Sequence, residues 1–218
     1  MSRSLSRRAF TGGAITGGLS GVLATTGVHA VGHHVTGHSA SHVDIGFCTD
    51  MSVHHVQAIV MCERVLGGDT GDAVQAAATE VLRNQAIEVG MMRAWLTDWG
   101  ASTADPITVM AWMDMDSAAM EAMDMSELDG TGGIPLEDMP GYATDAELVA
   151  LSNAEPGVEK GRMWLELMRA HHVGGVSMAA AATELASEEK VVRLARTQAE
   201  VQAWEIAQYD VLLDTVYA

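Results

Sequence analysis

Apolar residues recur at helical spacing through most of the chain, and the runs are separated by glycine, proline and capping residues. From Asp44, read as a helix cap, an apolar stripe with Phe47, Met51, Ala58 and Val65 runs to about Leu66, and Gly67-Gly68-Asp69-Thr70-Gly71 stops it. Asp72 with Gln75 three residues on has the form of a capping box for a second helix that reaches Trp99 and is closed by Gly100. The stretch 101–143 carries Pro106, Gly130, Gly132, Gly133 and Pro140 and reads as a long, mostly irregular, Met-rich connection. Thr144 with Glu147 is another capping box, before a short helix; a long helix follows from about Gly157 to Leu185, and Ser187 caps one more to about Val216. Residues 31–43 form a Gly/Ser/His tail without apolar periodicity, expected to be flexible.

The polar positions carry a second pattern. Met51, His54, His55 and Met61 recur 117 residues later as Met168, His171, His172 and Met178, and Gln85 and Glu88 recur as Gln202 and Glu205. A duplicated helical core has to keep only its apolar pattern, so a repeated Met-x-x-His-His-x5-Met string and a repeated Gln-x-x-Glu string point to duplicated chemistry. In an antiparallel hairpin, residues equidistant from the turn share a height. Pairing His54 with Gln85 centres the first turn between Asp69 and Thr70, and pairing His171 with Gln202 centres the second between Ala186 and Ser187, where the sequence breaks in both cases. Met51 then lies level with Glu88, Met168 with Glu205 and Cys48 with Met91. Two such hairpins, residues 44–100 and 144–218, joined by the crossover 101–143, make an all-α four-helix bundle. On the helical wheel each His pair flanks the buried stripe, so one ring can face its own hairpin and the other the opposite one.

Composition narrows the partners. A hydrophobic content of 48% supports a real core, and a formal charge of −17 with only 12 Lys and Arg excludes a nucleic-acid-binding face. Residues 1–30 read as a targeting segment: Ser6-Arg7-Arg8-Ala9-Phe10 is similar to a twin-arginine export signal, with Thr11 and Gly12 where Leu and Lys are usual, and Val28-His29-Ala30 has the form of a cleavage site. The uncharged run from Ala9 to about Val31 is rich in Gly, Ser and Thr, which suits an export signal better than a stable membrane helix. The expectation is an exported protein of the periplasm, cell wall or exterior, with an uncleaved N-terminal membrane anchor as the alternative and no other membrane association.

The donor types favour a soft metal. Imidazole and thioether together suit Cu(I), whereas Ca²⁺ or Mg²⁺ would call for clustered oxygen ligands. The candidate ligands are Met51, His54, His55, Met168, His171 and His172, with Glu88, Glu205, Gln85 and Gln202 placed to accept a hydrogen bond from a second ring nitrogen and so orient the imidazole. Further soft donors are Met61, Met178, Cys48, Cys62, Met91 and Met92, together with Met113, Met115, Met123 and Met125 in the connection and His33, His34, His38 and His42 in the tail. Cys48 and Cys62 are 14 residues apart on one helix, a separation of about 21 Å against a disulfide reach of about 7 Å, so they cannot pair with each other. Buried thiols, intermolecular links and soft ligands stay open for them. Since Cys48, Cys62, Met91 and Met92 belong to the first copy, it is expected to bind copper more tightly.

A metal-free reading stands beside each of these. The His pairs can be hydrogen-bonded core residues, methionine is a common gap filler, and the His tail can be a solvated linker. On that reading the chain is a metal-free helical module that binds a protein partner. No catalytic constellation is seen, so no enzymatic activity is expected. A ferritin-type di-metal oxidase would show Glu-x-x-His on two helices, and no such motif occurs.

The string Phe47-x3-Met51-x2-His54-His55-x2-Ala58-x2-Met61, followed by Gln85-x2-Glu88-x2-Met91 and Trp95-Leu96, resembles the bacterial family called domain of unknown function 305. The second copy resembles it too, as does Met139-Pro140-Gly141 before Thr144-Asp145-Ala146-Glu147-Leu148, so the resemblance covers roughly residues 44–218. It implies a ferritin-like four-helix bundle, usually exported, with some copper-binding members and no established enzymatic activity. The sequence departs from the family pattern at Tyr142, Gln208 and Tyr209, where methionine is common, which implies a weaker soft-metal site or a structural one in the second copy.

Overall fold

The computed structural model describes residues 40–113 and 132–218. The export-signal reading of residues 1–30, and His33, His34, His38, Met115, Met123 and Met125, lie outside the described residues. Within them the chain forms α1 (His42–Glu63), α2 (Asp72–Asp98), α3 (Asp145–Asn153), α4 (Val158–Leu185) and α5 (Glu189–Thr215). Within the connection 101–143, β1 (Thr108–Val109) and β2 (Ile134–Pro135) pair antiparallel, and β2 leads into a 3₁₀ turn over Leu136–Asp138. The four long helices make a helical bundle in which α1 packs on α2 and α4, and α4 packs on α5.

The helix starts differ from the sequence reading in an instructive way. Ser41, not Asp44, caps α1, so the helix begins at His42, inside the stretch expected to be a flexible tail. Asp44 is the third residue of the capping box: its Oδ2 accepts from the Ser41 N–H at 2.8 Å and from the Ser41 hydroxyl at 2.7 Å. Its Oδ1 accepts from the N–H groups of Ser187 (3.0 Å) and Glu188 (2.9 Å) at the start of α5. One fully buried carboxylate thereby satisfies unpaired N–H groups at two helix N-termini, and Ser187 provides no side-chain cap. Asp72 and Gln75 form no capping box either. Gln75 turns back to hold the glycine-rich turn, donating to Val65 O (2.7 Å) and Thr70 Oγ1 (2.6 Å) and accepting from Gly67 N–H (3.0 Å). The box of Thr144 and Glu147 forms as expected.

Helix α1 is buried on nearly every side, because α2, α4 and the connecting segment surround it. Its polar side chains fasten that segment. Asp50 Oδ2 accepts from the Met110 N–H (2.6 Å) and the Trp112 indole N–H (2.7 Å), holding Met110 at a left-handed φ of 64°. Gln57 closes a two-point clamp on Ala143, donating to its carbonyl at 2.8 Å and accepting from its N–H at 2.6 Å. The Met139-Pro140-Gly141 turn lies directly on α4, where a Cβ at Gly174 would collide with the Pro140 carbonyl. Gly90, on the exposed face of α2, has open space around it. Gly174→Ala is therefore expected to destabilise the fold by roughly 1–3 kcal/mol through overpacking against backbone, and Gly90→Ala to stabilise it by about 0.5–1 kcal/mol through helix propensity. Urea denaturation of both variants checks this, and a Gly174→Ala protein as stable as wild type would contradict the close contact.

The core divides in two along the helix axes. One cluster gathers Phe47, Cys48 and Met51 with Met92, Met139 and Met178. The other gathers Met61 and Cys62 with Trp164, Leu165, Met168 and Tyr209. The N-terminal half of α1 thus meets the C-terminal half of α4, and the His pairs, which lie between the two sets on both helices, fall between the clusters.

Candidate metal centre

The four bundle histidines have no solvent exposure. His54 of α1 and His171 of α4 stack at the centre of the bundle, ring centroids 3.6 Å apart and planes 24° apart. His55 and His172 turn outward to their own hairpin partners: His55 Nε2 lies 2.7 Å from Glu88 Oε2, and His172 Nε2 lies 2.7 Å from Glu205 Oε2. Each helix therefore sends one ring across the bundle and one to its own hairpin, as the spacing anticipates. Side chains lean toward the N-terminus of their helix, so His55, one turn beyond Met51, reaches the carboxylate expected at the height of Met51.

These contacts assign the ring protons. Nε2 of His55 and Nε2 of His172 each face a carboxylate, to which a ring N–H donates, and His171 donates its Nε2–H to the His54 carbonyl at 2.8 Å. The Nδ1 atoms of His55, His171 and His172 are buried without a hydrogen-bond partner, and the His54 ring has only the Pro140 carbonyl beside it. Burial, reinforced by the neighbouring imidazoles, pushes His54 and His171 well below the ordinary pKa of 6.5 and keeps both rings neutral. Neutral imidazole with a free lone pair is the ligand form, so the nitrogen set fits a soft cation. Among the described residues no three His, Cys, Asp or Glu groups converge as a ready-made ligand set. A metal held here draws on thioethers as well as imidazoles, or on a shift of the rings.

The remaining sequence candidates divide. Met51, Met92 and Met178 are fully buried in the cluster on one side of the histidines, and Met61 and Met168 in the cluster on the other. Met91 is 40% exposed and stands apart from the buried donors, because only one of two adjacent helical residues can face the core. Cys48 and Cys62 are free and buried, one in each cluster, and burial pushes both thiols up to about 12. The two thiols therefore lie on opposite sides of the histidines and do not converge on one site. Exposed His42 lines a surface cleft of ≈380 Å³ with Met110 and Trp112, away from the bundle histidines, and Met113 packs half-buried nearby.

Gln85 and Gln202, expected to orient imidazoles, bond to no histidine, and their buried Oε1 atoms are unpaired; Gln202 packs over Gly175. The amide that reaches the site is Gln198, 1% exposed, whose Nε2 donates to Glu88 Oε2 at 2.9 Å and comes within 3.3 Å of His55 Nε2. The position 117 residues earlier is Val81, so the repeat gave no sign of it. On the other pair, Tyr209 packs its ring 5.5 Å from that of His172, where the first copy has Met92.

The family model for domain of unknown function 305 (DUF305) matches residues 44–213. A DUF305 protein from Streptomyces coelicolor, provisionally described as secreted, superposes with a TM-score of 0.66 at 34% identity over 79% of this chain and 92% of its own. A DUF305 fragment from Deinococcus radiodurans gives a TM-score of 0.62 at 25% identity, covering 80% of this chain and 97% of the fragment. CopM in its Cu(I)-bound form gives 0.56 at 22% identity over 80% of this chain and 98% of that one, a likeness of fold. Comparison with curated proteins returns no match.

Proposed function

The chain belongs to the DUF305 family, and we propose that it is an exported metal-binding protein that takes up Cu(I) as cargo, buffering it in the cell envelope. The observation that carries this reading is the buried histidine set: four unexposed rings, with the Nδ1 atoms of His55, His171 and His172 bonded to no protein group and methionine thioethers on both sides. His54, His55, His171 and His172 would hold the ion together with Met51 or Met168, while Glu88 and Glu205 fix the rings of His55 and His172. CopM, which has Cu(I)- and Cu(II)-bound forms, lends support from the same fold. Export is supported by the twin-arginine-like segment and by the description of the Streptomyces relative. No helix among the described residues is long and apolar enough to cross a membrane. We assign no catalytic step to the protein.

A second reading, a metal-free helical module that binds a partner, draws support from the same contacts, since the two His–Glu pairs are closed hydrogen bonds within the bundle. Titration of purified protein under reducing conditions, in competition with a Cu(I) chelator, separates the two. Uptake of Cu(I), and of Ag(I) as its surrogate, in preference to Mg²⁺, Ca²⁺ and Mn²⁺ is expected from the donor set. A protein that takes up neither soft ion is the metal-free module.

A further inference from the structure

All four histidines are closed to solvent, so a cation reaches them only past the side chains that cover them. In each His–Glu pair the member that touches water is the carboxylate: the side chains of Glu88 and Glu205 keep 21% and 10% of their surface. Both line one cleft between α2 and α5, a space of ≈10 Å³, about the room one water needs. Gln85, Gln198 and Gln202 line it as well, 4%, 1% and 3% exposed, and each carries a buried Oε1 with no hydrogen-bond partner. Two carboxylates among unpaired amide oxygens make an opening that favours a cation and offers it successive oxygen contacts. Among the described residues, two larger clefts, one beside Trp112 and one between α3 and α4, have no bundle histidine or His-bonded glutamate in their linings.

The opening is not symmetric. Gln198 reaches from α5 to Glu88 on α2, tying the two hairpins together over the first pair. Val81 stands at the corresponding place of the other repeat, and Glu205 has no amide holding it.

We propose that the cleft between α2 and α5 is the port through which a cation passes to the histidines, with Glu88 and Glu205 as its first contacts and Gln198 as a latch that slows passage at the first pair. This rests on the reading of the protein as a soft-metal binder. A latch of one hydrogen bond is overcome in passage both inward and outward, so it alters rates and leaves affinity unchanged. Its net strength corresponds to a factor of roughly 2–10 in rate.

The test uses Gln198→Val, which copies the second repeat, and Val81→Gln, which places an amide near Glu205. Stopped-flow uptake and chelator-driven release of Ag(I) should both quicken by roughly 2–10-fold in Gln198→Val at unchanged dissociation constant. In metal-free protein at pH 7, acylation by diethyl pyrocarbonate, mapped by mass spectrometry, should speed up at His55 and stay constant at His172. Val81→Gln should slow Ag(I) uptake and protect His172, which keeps the test decisive if Gln198→Val does not fold. Normal Ag(I) uptake with unchanged rates and acylation in both variants overturns the port alone. A changed dissociation constant without a change in acylation makes Gln198 a structural residue and also overturns it. A wild type that takes up no Ag(I) overturns both the port and the metal-binding reading.

Discussion

Acidification from pH 7 to pH 5 is expected to lower the unfolding free energy by a few kcal/mol, as an order of magnitude, through three buried groups whose contributions differ in sign. His54 and His171 are neutral in the fold, held well below 6.5 first by burial and then by the imidazoles around them. The unfolded chain protonates both near 6.5, so it binds more protons than the native state below that pH. Their stabilisation is complete above 6.5 and is lost as pH falls, at up to about 1.4 kcal/mol per unit for each. Asp50 works the other way. Burial raises its carboxyl from 3.8 to about 6, against the lowering effect of the hydrogen bonds from Met110 and Trp112. Between those values the native state holds a proton that the unfolded chain has released, so acidification below pH 6 restores about 1 kcal/mol by pH 5. Urea denaturation at pH 7, 6 and 5 measures the sum, and a variant Asp50→Asn should show the steeper loss of the histidines alone. Stability that is level from pH 7 to pH 5 would mean that the central rings are not held neutral.

The long helices were legible because their ends are punctuated by glycine and capping residues, and the His–Glu pairs because a Gln-x-x-Glu string repeated beside a His-His string has a plain hydrogen-bonding use. What escaped sequence reading depends on contacts between distant segments. Ser41 and Asp44 both suit a helix start, and only the arrival of α5 next to α1 explains why Asp44 serves two N-termini. Gln75 satisfies a capping pattern on paper and is drawn instead to the carbonyl and hydroxyl of a turn whose glycines leave them accessible. Gln198 has no counterpart in the repeat, and a lone amide on a helix face carries no signal until a carboxylate from another hairpin meets it. The most consequential difference concerns the methionines. Periodicity gives the angle of a side chain about its own helix and leaves open which end of another helix it faces. Grouping soft donors by repeat put Cys48, Met51, Met61 and Cys62 around one site, whereas their spacing along α1 divides them between two clusters, and the antiparallel packing of α1 on α4 makes each cluster draw on both repeats.

That exchange of donors has a measurable consequence for copper. Met51 of the first repeat shares a cluster with Met178 of the second, and Met61 shares the other with Met168. Replacing methionine by leucine keeps volume and apolar character, so the bundle should lose less than about 1.5 kcal/mol while one thioether is removed from each position. If Cu(I) is held by histidine with the thioethers of one cluster, Met51→Leu and Met178→Leu act on the same binding event. Their effects on affinity should then be non-additive, with a coupling of about 0.5–3 kcal/mol, whereas Met51→Leu and Met168→Leu, on opposite sides of the histidines, should add to within about 0.5 kcal/mol. Chelator competition on the two double-mutant cycles, with far-ultraviolet circular dichroism as the check on folding, gives both numbers. The deepest single loss is expected from His55→Ala with His172→Ala, which removes both glutamate-oriented rings and should weaken Cu(I) binding by at least about a hundredfold, since each of two ligands is worth a tenfold or larger factor. Strong coupling between Met51 and Met168, with none between Met51 and Met178, would mean that the ion bridges the two clusters through the stacked pair of His54 and His171 and that the thioethers of one cluster do not act together.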